Sequence, residues 1–480
     1  MSILVVDVGT SGVRSAIVRP DATIAVEHHQ EVLPETPAPG LVEFDARKIA
    51  QAALATARAA LADGGPVTAV GIANQRASTI VWDRATGEPV APGLGWQDLR
   101  TLGDCLVLQV EGLRFAPNQS ATKVRHLLDA VDPDRQRDLC VGTVDSWIVW
   151  TLTEGAVNVT DPSNAGVTGL LSIDSLDWDD ALLTTLNIPR TAMPRIVDSS
   201  GPIAPATALE GAPMICGIAG DQQASLIGQG CVQPGPAKIT FGTGGMLDLV
   251  IGPNRPASVA RSASGTFPII TWRRDGETMW GLEAIMLSAG TNVEWLRDDL
   301  GIIESVSASH DVARQCSDTE GVVYVPALLG LGTPDWDYGA RGTLLGITRG
   351  TTRAHIVRAV LEGVAQRGAD LVDAAEAETG MTIPSLRIDG GMSANPTFTQ
   401  ALANATQRTV EISPVLEATT LGAAFLAGLS VGTWRGGDDI AATWRPSHIV
   451  EPNGDAHRDR WRAALERSRG WHADLSSFDF

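Results

Sequence analysis

The sequence predicts an α/β protein made of two related halves. Three observations lead there. Apolar strand-like runs alternate with helical ones along the chain. A Gly-Thr turn between β-branched runs occurs near the N-terminus and again near the middle, as duplication of a domain would produce. The Gly- and Pro-rich stretch Gln229 to Pro236 separates the two copies. The halves are therefore placed at residues 1–233 and 234–480, within the roughly two to four domains that such a length suggests. With 44% hydrophobic and 19% charged residues, the composition is that of a folded protein.

The elements follow in order. Ile3 to Val6 and Val13 to Val18 read as strands around the turn Asp7 to Gly12. Ala46 to Ala62 is Ala-rich and helical, stopped by Asp63-Gly64-Gly65-Pro66. Val67 to Ala73 and Thr79 to Trp82 read as strands, and Met214 to Ile218 as a strand running into a Gly turn with a helix from Ala224. The second hairpin is Ala237 to Phe241, Gly242 to Gly245, then Met246 to Ile251. His355 to Glu378 carries Ile356, Val360, Val364 and Leu371 at helical spacing. The uncharged stretch Ala418 to Trp434 is too short for a membrane span and reads as a buried helix.

Charge and cysteines narrow the setting. Thirty-six basic against 56 acidic residues give −20, which disfavours nucleic acid and anionic membranes as partners. The first residues lack a basic stretch, and Asp7 interrupts the apolar run too early for a secretory signal. Five cysteines without a C-x-x-C pair suggest neither zinc nor disulfides, so a cytoplasmic location is expected.

The residues able to carry chemistry gather at turns. Glycines let backbone N–H groups converge on an anion, and Thr or Ser hydroxyls add donors, so Gly9-Thr10-Ser11-Gly12 and Gly242-Thr243-Gly244 are candidate phosphate turns. Asp7 stands where the second copy has Thr240, and one carboxylate beside phosphates suits Mg²⁺. Asp221, after Gly217 to Gly220, reads as a helix N-cap, as a carboxylate that takes a hydroxyl proton during phosphoryl transfer, or as both. Arg76, at the end of an apolar strand, is placed to hold a ligand oxygen. Leu386 to Pro396, a strand, a Gly-Gly turn and a helix start, could underlie a flat nucleotide.

Taken together, Asp7-x-Gly-Thr-Ser, Asn74-Gln75-Arg76, Gly220-Asp221-Gln222-Gln223, Gly242-Thr243-Gly244 and Asp389-Gly390-Gly391 resemble the FGGY carbohydrate kinases, and glycerol kinases most closely within them. The likeness covers residues 3 to about 435. It implies two actin-like (ribonuclease-H-like) domains around a central cleft, with ATP and Mg²⁺ on one side and a small polyol or ketose on the other. It further implies that Thr10, Ser11 and Gly12 meet the phosphates and that Asp7 binds magnesium through water. Thr243, Gly290, Glu294, Gly391 and Asn395 would contact the nucleotide, while Arg14, Arg76, Trp96, Asp221 and Gln222 would face the acceptor, with Asp221 as base. The substrate side and base belong to the N-terminal half and the nucleotide side to the C-terminal half; a homodimer or homotetramer is left open.

The likeness breaks at the acceptor pocket. Glycerol kinases have Glu where this chain has Ala77, Tyr where it has Asn118, and Phe where it has Met246. Some of them also bind fructose bisphosphate through a basic Gly-rich loop; the matching Ala206 to Gly211 has no Lys or Arg. The expected activity is thus ATP-dependent phosphorylation of a small polyol or ketose, with four- and five-carbon acceptors favoured. The alternatives are a glycerol kinase with an atypical pocket and a non-catalytic nucleotide-binding member of the actin superfamily.

Overall fold

The computed structural model describes residues 2–478 apart from Val259 and Leu416. A mixed sheet of 13 strands runs through both halves. Its order is His448–Val450, Thr409–Ile412, Ser385–Asp389, Ala237–Phe241, Gly245–Gly252, Glu277–Met286, Phe267–Arg274, Ser200–Pro205, Met214–Gly220, Ala69–Asn74, Ile3–Val8, Gly12–Val18, Ile24–Glu31. The halves repeat one topology. In the first, three antiparallel strands (Ile3–Val8, Gly12–Val18, Ile24–Glu31) are followed by Ala69–Asn74 and Met214–Gly220, which run parallel to the first. In the second, Ala237–Phe241, Gly245–Gly252 and Glu277–Met286 are antiparallel, and Ser385–Asp389 and Thr409–Ile412 run parallel to the first of them. The halves join through Ser200 and Arg274.

The hairpins that carry the candidate turns are related but not identical. Val8 pairs with Val13, closing Gly9 to Gly12, whereas Phe241 pairs with Gly245, closing only Gly242 to Gly244. The second turn is one residue tighter.

Central strands of the first half are covered on both faces, so Leu4, Val6, Val70 and Ile72 are fully buried on one side and Ile3, Val5, Ala69 and Ala73 on the other. Helix Ala46–Gly64 covers one face with Ile49, Ala53, Ala57 and Ala60. The opposite face is covered by helix Ala418–Ser430, which the sequence places in the second half. Glycines allow that approach: a methyl at Gly217 would lie 2.6 Å from the Ala427 nitrogen, and methyls at Gly228 or Gly422 would collide with the carbonyls of Ala418 or Ala224. Helices Asp221–Gly228 and Ala418–Ser430 thus cross almost backbone to backbone.

Several expected boundaries shift. The strand after the first helix spans Ala69–Asn74, because Val67 and Thr68 still belong to the connection. The long helix is Arg353–Thr379, starting two residues earlier than its apolar spacing indicates, because Thr352 and His355 form a reciprocal cap. The buried helix ends at Ser430, and the chain folds back to set Trp434 edge-on against Phe425 at 4.8 Å. Residues 75–199 form an insertion in the first half, with strands Thr79–Asp83, Gly93–Leu94 and Leu139–Thr143 in a smaller sheet completed by Glu43–Phe44. Among the described residues no helix is long and apolar enough to cross a membrane.

Candidate active site

Asp221 is the first residue of its helix, and its cap is Gly220 in an extended conformation. This corrects both the N-cap reading and the expected helix start at Ala224. The Asp221 carboxylate accepts only from the N–H of the next residue, Gln222, at 2.8 Å, and stays a third exposed. Arg76 Nε lies 3.5 Å from Asp221 Oδ1. Burial lifts the Asp221 pKa above the usual carboxylate range, with Arg76 opposing the lift. A carboxylate made more basic by burial beside a fixed cation suits general-base work.

Asp7, near the end of the first strand, is half-buried and sits opposite Arg14 in the hairpin. Its pKa is pushed up to about 6 by burial, against Arg14 and with help from Asp221. A carboxyl raised by burial and by a second carboxyl nearby, next to a Gly-Thr-Ser turn, fits a hydrated divalent cation. Arg14 itself pairs with Glu27 at 3.4 Å and with Glu417. Thr10 Oγ1 accepts from the Trp96 indole N–H at 3.3 Å, while Ser11 is exposed and Gly12 opens the returning strand.

The pocket positions come from the insertion and the second hairpin. Ala77 has φ +60 and its methyl is buried; its carbonyl accepts from Ser120 at 2.9 Å and Thr79 at 3.1 Å. The Trp96 backbone is held on both sides: its N–H donates to Ser78 Oγ at 3.0 Å, and its carbonyl accepts from the Lys123 ammonium at 2.9 Å. Met246 is half-buried opposite Thr240, and Asn118 is exposed.

Gly290, expected on the nucleotide side, packs against the second turn. The Gly290 N–H donates to the Gly242 carbonyl at 2.8 Å, and the Ala289 N–H to that of Thr243 at 2.8 Å. A methyl on Gly290 would lie 2.6 Å from that Gly242 oxygen and 4.0 Å from Met392. Gly390, at φ +83, packs on the Phe241 backbone so closely that no side chain fits. Thr243 and Gly391 are thereby left exposed on one surface, with Glu294 exposed on the adjoining helix Thr291–Asp298. Asn395 caps helix Pro396–Thr406, accepting from Thr397 and Phe398 N–H and donating to Ser309 at 2.9 Å.

Sequence reasoning missed the groups that hold this site. Arg76 Nη2 donates to Glu283 of the other half at 2.6 Å, and Gln222 Oε1 accepts from the Lys238 ammonium at 2.7 Å. Lys238 pairs with Asp248 at 2.7 Å, both fully buried. Behind the Gly220 turn, buried Asp161 accepts from Ser163 Oγ, which in turn accepts from the Gly220 N–H at 2.9 Å. The usable signal was a charge flanked by apolar residues in the middle of a strand, as at Lys238 in Ala237–Phe241 and Glu283 in Glu277–Met286.

Comparison with known proteins completes the picture. The model of the N-terminal domain of the FGGY family of carbohydrate kinases matches residues 2–228, and that of its C-terminal domain matches residues 237–431. The chain belongs to the FGGY carbohydrate kinases. It is thus a phosphotransferase with an alcohol group as acceptor. It is 42% identical to the glycerol kinase of Dechloromonas aromatica over 98% of both chains, and 38% identical to glycerol kinase 2 of Thermotoga maritima over 98% of this chain and 99% of that one. The crystal structure of Plasmodium falciparum glycerol kinase with ADP superposes with a TM-score of 0.90 at 28% identity, covering 97% of this chain and 98% of that one. A xylulose kinase from Lactobacillus acidophilus shares the fold, with a TM-score of 0.88 at 20% identity over the whole of both chains.

Proposed function

We propose that this kinase transfers the γ-phosphoryl group of ATP to a hydroxyl of a small polyol or ketose, with Asp221 as the base. The observation that carries the reading is the Asp221 carboxylate: it caps no helix, stays a third exposed, and lies 3.5 Å from Arg76. Arg76 would hold the acceptor oxygen next to the one that reacts. Asp221 would take the hydroxyl proton as that oxygen attacks phosphorus. Thr10, Ser11 and the backbone of Gly12 would receive the phosphates from one side, and Thr243, Gly290 and Gly391 the nucleotide from the other. Glu294 and Asn395 would border the base of the nucleotide. Asp7 would hold Mg²⁺ through water, a role that its raised pKa supports, because a cation beside it offsets the cost of ionisation. When bound, the ion neutralises charge on the phosphates. The five free cysteines, four of them buried, support a reducing, cytoplasmic setting.

The acceptor is proposed to be longer than glycerol. Ala77 offers a buried methyl where glycerol kinases present a carboxylate, and Asn118 an exposed amide in place of a phenol. A hydroxyl left without its partner costs about 1–3 kcal/mol, so glycerol would be held weakly. Met246 adds a flexible wall that accommodates a longer chain. The second reading, a glycerol kinase with an altered pocket, is favoured by the full-length identity of 42% to a glycerol kinase. The deciding experiment is kcat/KM for glycerol beside tetritols, tetruloses and pentuloses, in wild type and in Ala77→Glu/Asn118→Tyr. Wild type is expected to prefer a longer acceptor, and the double variant to gain on glycerol. Preference of the wild type for glycerol over every longer compound establishes the second reading instead.

A further inference from the structure

Three charged groups deep in the second half take no part in the chemistry above. Lys238, Asp248 and Glu283 stand side by side on adjacent strands, Lys238 opposite Asp248 and Asp248 opposite Glu283. Residues in one register row project from the same face of a sheet, so the three side chains form a continuous line. Lys238 and Asp248 are wholly buried, and the Glu283 side chain is 8% exposed. Burying such groups is costly, and an apolar row would pack at least as well. The first half shows that the pair at the centre of the row can be apolar: in the related hairpin, the positions matching Lys238 and Asp248 are Val5 and Ala16, again paired with each other, while the position matching Glu283 is the exposed Glu27.

Both ends of the line reach the other half of the molecule. Glu283 Oε2 accepts from Arg76 Nη2 at 2.6 Å, and Lys238 Nζ donates to Gln222 Oε1 at 2.7 Å. Arg76 and Gln222 flank Asp221, one beside its carboxylate and one next to it in the chain. Lys238 Nζ also donates to Thr240 Oγ1 at 3.0 Å, on the strand that leads into Gly242-Thr243-Gly244.

We propose that the Lys238–Asp248–Glu283 row positions the acceptor end of the site. It fixes Arg76 and Gln222 around Asp221 and sets their distance from the second phosphate turn. Glu283, 207 residues from Arg76 in sequence, is its principal positioning residue. The role follows from the reading of Asp221 as base and Arg76 as acceptor ligand.

The test compares Glu283→Gln, which removes charge but keeps shape, with Glu283→Asp, which keeps charge but shortens reach. For each, three quantities are measured: kcat and KM with the best acceptor, ATP hydrolysis without acceptor, and the Kd for ADP. The expected result is a fall in acceptor kcat/KM of about tenfold or more, as for loss of a charge-assisted contact. ADP affinity should stay within about twofold of wild type, while acceptor-free hydrolysis, which also draws on Asp221, falls no further than acceptor turnover. A merely structural role would lower all three together, and that outcome overturns the proposal, as does unchanged acceptor turnover in both variants. A variant that fails to bind ADP counts as structural damage and against the proposal. Absence of turnover by wild type on every acceptor would overturn the functional reading itself, and this one with it.

Discussion

Replacing Asp7 by Asn should make the free protein more stable while abolishing phosphoryl transfer. Burial pushes the Asp7 carboxyl up to about 6 in the fold, against 3.8 for a free Asp side chain. A group raised in this way binds more protons folded than unfolded between those two pH values. Stability is then lost as pH rises through that window, and the full penalty persists above it. A shift of roughly two units corresponds to about 3 kcal/mol at most, and partial exposure to the cleft reduces this to about 1–2 kcal/mol. Asn keeps the shape without the charge. Thermal melts in chelator should place Asp7→Asn above wild type by a few degrees at about pH 8, with the gap closing towards about pH 4. Adding nucleotide with magnesium should stabilise wild type far more than the variant. A variant that melts at or below wild type at the higher pH, or a gap independent of pH, would refute the reasoning.

Two further outcomes are expected. Asp221→Asn should lower kcat by about 10²–10⁴, the usual contribution of a positioned base, with ADP affinity retained; near-normal turnover in steady-state assays would remove Asp221 from that role. Fructose bisphosphate should not inhibit, because Ala206 to Gly211 is a short turn closed by an Ala206 N–H to Pro213 carbonyl bond and carries no Lys or Arg; a dose-dependent loss of activity would contradict this.

The features legible in the sequence were the local ones. Each hairpin declares itself within about 15 residues through β-branched runs and a Gly turn, and so the duplication and the α/β class could be read. Asp7, Arg76 and Asp221 stood out because they terminate apolar strands. What could not be read depends on pairing between distant strands. Glu283 meets Arg76 only because the two halves share one sheet, and nothing near either residue announces the other. Lys238 stands out as a charge among apolar strand residues, but its partner, buried Asp248, lies on the next strand and only the register pairs them. Capping was also ambiguous, since Gly220 and Asp221 are both acceptable N-caps and only backbone geometry chooses between them.

Helix Ala418–Ser430 covers a face of the first half's sheet, and this has a consequence for synthesis on the ribosome. The sheet strands through Gly220 emerge long before their cover. Ile3, Val5, Ala69, Ala73, Cys216 and Ala219 must wait for Leu421, Phe425 and Leu426, which are encoded about 200 residues later. At about 5–20 residues per second, that leaves a naked apolar surface for roughly 10–40 s. During this interval the nascent first half is a natural client for chaperones. It is also the stage at which aggregation competes with folding, so a first half expressed alone should be insoluble even though its sheet is complete.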